Sequence, residues 1–289
     1  MLYLFVLPVV VYYFIFHYIP IYGVQIAFKN FIAIKGIMGS PWVGFIHFTR
    51  FFNSYHFWTL IGNTLGISAY QLLAGFPVPI ILALMLNYVH RASFKRFVQT
   101  VTYAPHFIST VVLVGMIMIF LSPRNGLVNT FIKGVGFEPI FFMGEPGWFK
   151  SLYVWSGVWQ NAGWGSIIYI ATLAGVNPEL YEAAIVDGAS KFQRILFIDI
   201  PSIIPTATIL LILNLGRIMS VGFEKVFLMQ NDLNLESSEI IATYVYKTGL
   251  LGAQFSFSSA VGLFNNLINF LLLVFVNRMA RKYSSTSLW

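Results

Sequence analysis

Residues 181–205 read YEAAIVDGASKFQRILFIDIPSIIP, the one long polar interval of the chain with the pattern of a helix rather than a loop. Polar Glu182, Asp187, Ser190, Lys191, Gln193 and Arg194 are mixed with apolar Ala183, Ile185, Val186, Ala189, Phe192, Ile195 and Leu196. Such a mixture suits a short amphipathic helix, a turn at Gly188, then a second helical piece that enters a membrane. Gly188 allows a backbone turn or a close approach at little cost. Pro201 and Pro205 fall near the start of the next apolar span, where a missing N–H is tolerated. On these residues alone, an amphipathic segment lying on a lipid surface fits equally well.

The surrounding chain is apolar. Of 289 residues 58% are hydrophobic and 9% charged, and the mean hydropathy is +0.77. Soluble domains carry about 25% charged residues, so a polytopic membrane protein is expected. With no cysteine, disulfides, thiolate metal sites and cysteine nucleophiles are excluded. The net charge of +7 is scattered over loops and span ends, which fits anchoring at the membrane surface better than nucleic-acid binding. The first span starts almost at Met1 without a basic segment or an A-x-A site, so it reads as a retained helix rather than a cleaved signal.

A helix needs about 20 apolar residues to cross the hydrocarbon. Charge-poor intervals place six spans, at 2–28, 56–89, 97–121, 151–176, 202–223 and 248–276. Pro8 and Pro20 should bend the first, the second is overlong, and Pro105-His106 should kink the third. The tight loop Arg91, Lys95, Arg96 and the tail residues Arg278, Arg281 and Lys282 fall on one side with Lys191 and Arg194. The positive-inside rule makes that side cytoplasmic, with both termini inside. No repeat, linker or soluble domain is visible; 1–289 reads as a single transmembrane domain.

Within the spans, Arg217 is the residue least comfortable where it stands. Counted from Pro205 at about 1.5 Å per residue, it lies roughly 18 Å into the membrane. Either it faces a polar cavity, or it snorkels to the outer interface near Glu224. Asn214 and Ser220, three residues to either side, share its helical face. The fourth span carries Trp155, Trp159, Gln160, Asn161, Trp164 and Tyr169. Rings and amides together suit a sugar, although interfacial tryptophans and packing through Gly157, Gly163 and Gly165 explain the same residues. The five histidines lack metal-ligand spacing, and neither H-E-x-x-H nor G-x-x-x-x-G-K-[ST] occurs. The chain is therefore not expected to bind a metal or split ATP.

Glu182-Ala183-Ala184, Gly188 six residues after the glutamate, and Ile198-Asp199-Ile200-Pro201 resemble the EAA motif of ABC importer membrane subunits. Ile200 stands where that pattern has leucine. The stretches PVVVYYFIFHYIPIYGVQIAFKNF, QTVTYAPHFIST and RKYSSTSLW resemble the polysaccharide-type branch of the carbohydrate-uptake (maltose-type) permeases, which includes permeases for alginate and pectin-derived oligosaccharides. The resemblance implies an all-α, six-span helical bundle of the type I ABC importer (MetI-like) permease fold, with 177–201 as its cytoplasmic coupling segment. It implies a non-enzyme in the bacterial inner membrane, paired as a heterodimer with a second homologous permease. Two ABC ATPase subunits would bind ATP and Mg, leaving this chain without a cofactor. An extracytoplasmic solute-binding protein would deliver an oligosaccharide.

Glu182, Ala183, Ala184, Asp187 and Gly188 would then couple to the ATPase. Gln160, Asn161, Trp164, Asn214, Arg217 and Ser220 would line the sugar pathway. Arg217 stands where the maltose-type relative has an amide, and a cation there suits an acidic sugar such as a uronate. A secondary transporter would instead need internal repeats, broken helices or intramembrane acids. No Asp or Glu falls within an expected span. An intramembrane enzyme would need a catalytic pair inside the bilayer, and none is visible.

Overall fold

A computed structural model describes residues 2–283; residues 284–289 of the tail stretch lie outside the described residues. Helices and their connections make up the chain, with no strand among the described residues and one isolated bridge between Lys29 and Trp42. The principal helices are α1 (Leu2–Tyr13), α2 (Ile46–Phe52), α3 (Phe57–Gly75), α4 (Pro77–Asn87), α5 (Ala92–Tyr103), α6 (Thr110–Phe120) and α7 (Leu127–Gly134). They continue with α8 (Pro146–Ala174), α9 (Pro178–Val186), α10 (Lys191–Arg194), α11 (Ile200–Leu215), α12 (Phe223–Met229), α13 (Ile241–Tyr246) and α14 (Phe255–Tyr283).

Among the described residues four helical stretches are long and apolar enough to cross a membrane: Tyr3–Phe28, Phe57–Asn87, Lys191–Leu215 and Phe255–Lys282. The pair Ala92–Phe107 and Thr110–Phe120 would make a fifth, bent by 100°. The remaining expected span, the fourth, corresponds to α8, 29 residues long, whose amides, serines and glycines keep it out of that apolar set. The expected kink at Pro105-His106 is thus a full break, where a 3-10 turn over Ala104–Phe107 precedes the Ser109 cap of α6.

The fifth span begins and ends earlier than expected. Its helix runs from Lys191 to Leu215, because a π-turn over Ile195–Asp199 carries the polar segment straight into α11. Asp199 therefore lies inside a span and is fully buried, against the expectation that no acidic residue does. At the other end Gly216 passes so close to Leu273 of α14 that a Cβ would collide with it. Beyond it the chain turns rather than continuing as a helix, with Ser220 N–H donating to Arg217 C=O at 2.8 Å.

The chain forms two compact units. In residues 62–239 and 269–283, α8 packs along α4 and α5 and also meets α11. Ala83, Tyr169, Leu173 and Ile203 form a buried core there. Small residues let backbones approach, as membrane helices require: a Cβ on Gly163 would strike the Thr102 carbonyl, and one on Gly165 would lie 3.3 Å from Pro79. In residues 2–61 and 240–268, Ala27, Phe48 and Ala260 form the core. Phe51 and Phe52 stack edge-on with Phe57 and Phe264, and Arg50 lies 4.5 Å over the Phe257 ring.

Candidate functional site

The coupling segment is built by caps at each step. Asn177 accepts the Glu179 N–H at 3.1 Å, and Pro178 opens α9 where no N–H is needed. Gly188 closes it at φ 75°, with its N–H on Ile185 C=O at 3.0 Å and that of Ala189 on Ala184 C=O at 2.8 Å. This is a Schellman ending, which favours glycine at the left-handed position. Ser190 and Gln193 then form a reciprocal capping box that starts α10. The helix, turn and second helical piece expected from sequence all form.

Glu182, Ala183, Asp187 and Gly188 are exposed, and Ala184 is half-buried. Ile185, Val186 and Phe192 beside them are also exposed, Val186 to 87%. The opposite side of α9 is anchored. The Tyr181 hydroxyl donates to Asp199 Oδ1 at 2.5 Å, and burial together with that carboxylate pushes it up to about 12.

A cavity of about 460 Å³ opens among α3, α4, α8, α11 and the turn after α11, within the range of about 300–1,000 Å³ usual for small-ligand sites. Asn161, Asn214, Arg217 and Ser220 line it. Arg217 thus faces a cavity, and no described carboxylate forms an ion pair with it. Asn214 lies in the last turn of α11 while Arg217 and Ser220 belong to the turn beyond it, so the three share a wall through the break rather than through one helical face. Asn269 of α14 holds that break, accepting the Met219 N–H at 2.9 Å and donating to Ser220 Oγ at 3.0 Å. Irregular backbone at membrane depth is tolerated where it lines a cavity.

Gln160 and Trp164 are not part of the lining. Gln160 donates to Ile108 C=O at 2.7 Å and satisfies the carbonyl freed at the α5–α6 break. Trp164 stacks on His106 at 4.6 Å, and His106 Nδ1 bonds to Asn161 Oδ1 at 3.1 Å. These contacts fix the orientation of Asn161 towards the cavity. Ser68 and Gln71 also line the cavity, and sequence reading passed over them. Their only signal was a pair of polar residues three apart, on one face of an apolar helix. The lining holds hydroxyls, amides and one cation but no carboxylate.

The family of binding-protein-dependent transport system inner membrane components matches residues 75–284. The polygalacturonan/rhamnogalacturonan transport system permease protein YteP of Bacillus subtilis (strain 168) is 43% identical over 288 residues, covering 100% of this chain and 90% of that protein. Protein LplB of the same organism is 41% identical, covering 100% and 91%. A crystal structure of a bacterial alginate ABC transporter, in complex with an alginate pentasaccharide-bound periplasmic protein, contains a chain that superposes with a TM-score of 0.92. That chain is 40% identical, with 99% of this chain and 96% of it covered.

Proposed function

The chain belongs to the family of binding-protein-dependent transport system inner membrane components, and from that premise we propose that it is the permease half of an importer for acidic oligosaccharides. The observation that carries the substrate class is Arg217, a cation without a described carboxylate partner in a cavity whose other polar lining groups are amides and hydroxyls set among apolar side chains. Hydroxyls and amides suit a sugar, and the guanidinium suits its carboxylate by a charge-assisted pair. The relatives named for polygalacturonan and alginate support the same reading.

In this reading 1–289 acts as one permease, and α9 is its cytoplasmic coupling helix. Exposed Glu182, Ala183, Asp187 and Gly188, with uncovered Ile185 and Val186, enter a cleft of an ABC ATPase. ATP and Mg are held by that partner, and this chain contributes no group to hydrolysis. A second homologous permease completes the pathway, two ATPases dock beneath, and a solute-binding protein delivers sugar from outside. Closure of the ATPases displaces α9 and switches the cavity between inward- and outward-facing access.

The test is uptake in membranes carrying the assembled importer, with oligogalacturonide and a neutral oligosaccharide of equal length. A hydrogen bond to a charged group contributes about 1.5–3 kcal/mol, so Arg217→Gln should lower apparent affinity for the acidic sugar roughly 10- to 100-fold. The neutral sugar should be nearly unaffected. Equal effects on both, or none on the acid, would refute Arg217 as the carboxylate reader.

A further inference from the structure

Asp199 is fully buried near the start of the fifth span, and three elements converge on it. Tyr181 of α9 donates to Oδ1 at 2.5 Å, and Asn87, the last residue of α4, donates to the same oxygen at 3.4 Å. The carboxylate itself ends the π-turn that leads into α11. Tyr88 faces the carboxylate but closes no hydrogen bond of ordinary geometry. Its hydroxyl, Asp199 Oδ2 and Arg194 Nε are buried without partners, and the Arg194 guanidinium lies 5.8 Å over the Tyr88 ring. A buried carboxylate with one oxygen unmatched is expensive to keep, and cavity contacts do not account for it.

The helices it joins are the cavity walls. Pro79 of α4 and Leu210 and Asn214 of α11 line the cavity, and the two helices share the core around Ala83 and Ile203. We propose that Asp199 is a positioning residue of the transport cycle, tying the coupling helix through Tyr181 to α4 and α11 so that movement of α9 reaches the cavity. The inference rests on the reading of α9 as the ATPase-coupling helix. Tyr181 from α9 and Asn87 from α4 meet on one carboxylate oxygen, with the Tyr88 hydroxyl facing the same group, so the cluster is a contiguous chain of the kind that carries coupling between sites.

The chain has no native cysteine, so Ser68→Cys places a single thiol on the cavity wall. In the assembled complex, its rate of modification by a membrane-impermeant maleimide is compared with and without ATP and vanadate, a readout that requires no knowledge of the sugar. The expected nucleotide effect is at least about fivefold, the low end of ordinary coupling between sites. Added Tyr181→Phe or Asp199→Leu should abolish it while the complex still assembles. Asp199→Asn, which keeps an acceptor for Tyr181, should preserve it. A nucleotide effect that survives Tyr181→Phe would overturn the proposal. So would loss of assembly and of nucleotide effect in parallel across all three variants, the pattern of a purely structural residue. Absence of any ATPase from the wild-type complex would instead overturn the coupling-helix reading, and this inference with it.

Discussion

Asn269 and Met219, fifty residues apart in sequence, are joined by a 2.9 Å hydrogen bond from the buried Met219 N–H to the Asn269 side chain. The bond replaces the helical partner that Met219 loses when α11 ends at Leu215. Asn269→Ala should therefore leave a buried donor unmatched, at a cost of about 1–3 kcal/mol, and should lower the thermal unfolding midpoint in detergent. Asn269→Asp keeps the acceptor for Met219 but cannot donate to Ser220, so its midpoint should fall between wild type and Asn269→Ala. Equal midpoints for all three would mean that the turn holds itself.

Gly188 separates backbone strain from steric clash. Its φ is 75°, yet nothing lies within 4 Å of a Cβ built there. Gly188→Ala should thus weaken the end of α9 by about 1–2 kcal/mol, the cost of a left-handed alanine, without disturbing its neighbours. Asparagine tolerates that conformation better, so Gly188→Asn should be milder. Recovery of an ABC ATPase on purification from native membranes should rank wild type above Gly188→Asn, and Gly188→Asn above Gly188→Ala. Full recovery with the alanine variant would show that the cap geometry is not needed for docking.

What could be read in the sequence was local. The turn at Gly188 arises from residues within a few positions of one another, such as Ala184 and Ala189, and the residue pattern exposed it, though not the caps at Asn177 and Ser190. Arg217 stood out because a charge inside an apolar run is costly wherever its partner lies. What escaped depended on distant residues. The unwinding at Gly216 is set by Leu273 and Asn269, and the break at Ile108 by Gln160. Asp199 falls outside the expected span because its own charge bounds a charge-poor interval, whereas Tyr181 and the π-turn draw it inside. Two marks expected of a secondary transporter, broken helices and an intramembrane acid, are therefore present in this fold. Family membership, not those features, separates the readings.

Gly163 should be the least replaceable glycine of α8. A Cβ there would meet the backbone carbonyl of Thr102 in α5, which cannot rotate away, whereas one on Gly157 would meet only the Lys225 Nζ at 3.3 Å. Gly163→Ala must push α5 and α8 apart, and overpacking of this kind costs about 1–3 kcal/mol or more. Gly157→Ala should cost less, because Lys225 Nζ need give by only a few tenths of an ångström and can keep its bond to Tyr153. Unfolding in detergent followed by tryptophan fluorescence should show a clear loss for the first and a smaller one for the second.

Lys225 in α12 gives the chain a pH signature. It is buried, its Nζ donates to Tyr153 C=O at 2.8 Å and sits 4.7 Å over the Tyr153 ring. Burial pushes its amine down from 10.5 to about 8. Between those values the unfolded chain holds a proton that the folded chain has released, so stability rises with pH across that window and is flat below it. The full gap corresponds to something on the order of 3 kcal/mol. Lys225→Met removes the titration, so wild type should gain on that variant from about pH 8 upward. Unfolding midpoints of the two proteins at matched pH between 7 and 10 measure the difference directly. A constant difference across the range would mean that the Tyr153 carbonyl and ring already stabilise the charged amine as well as water does.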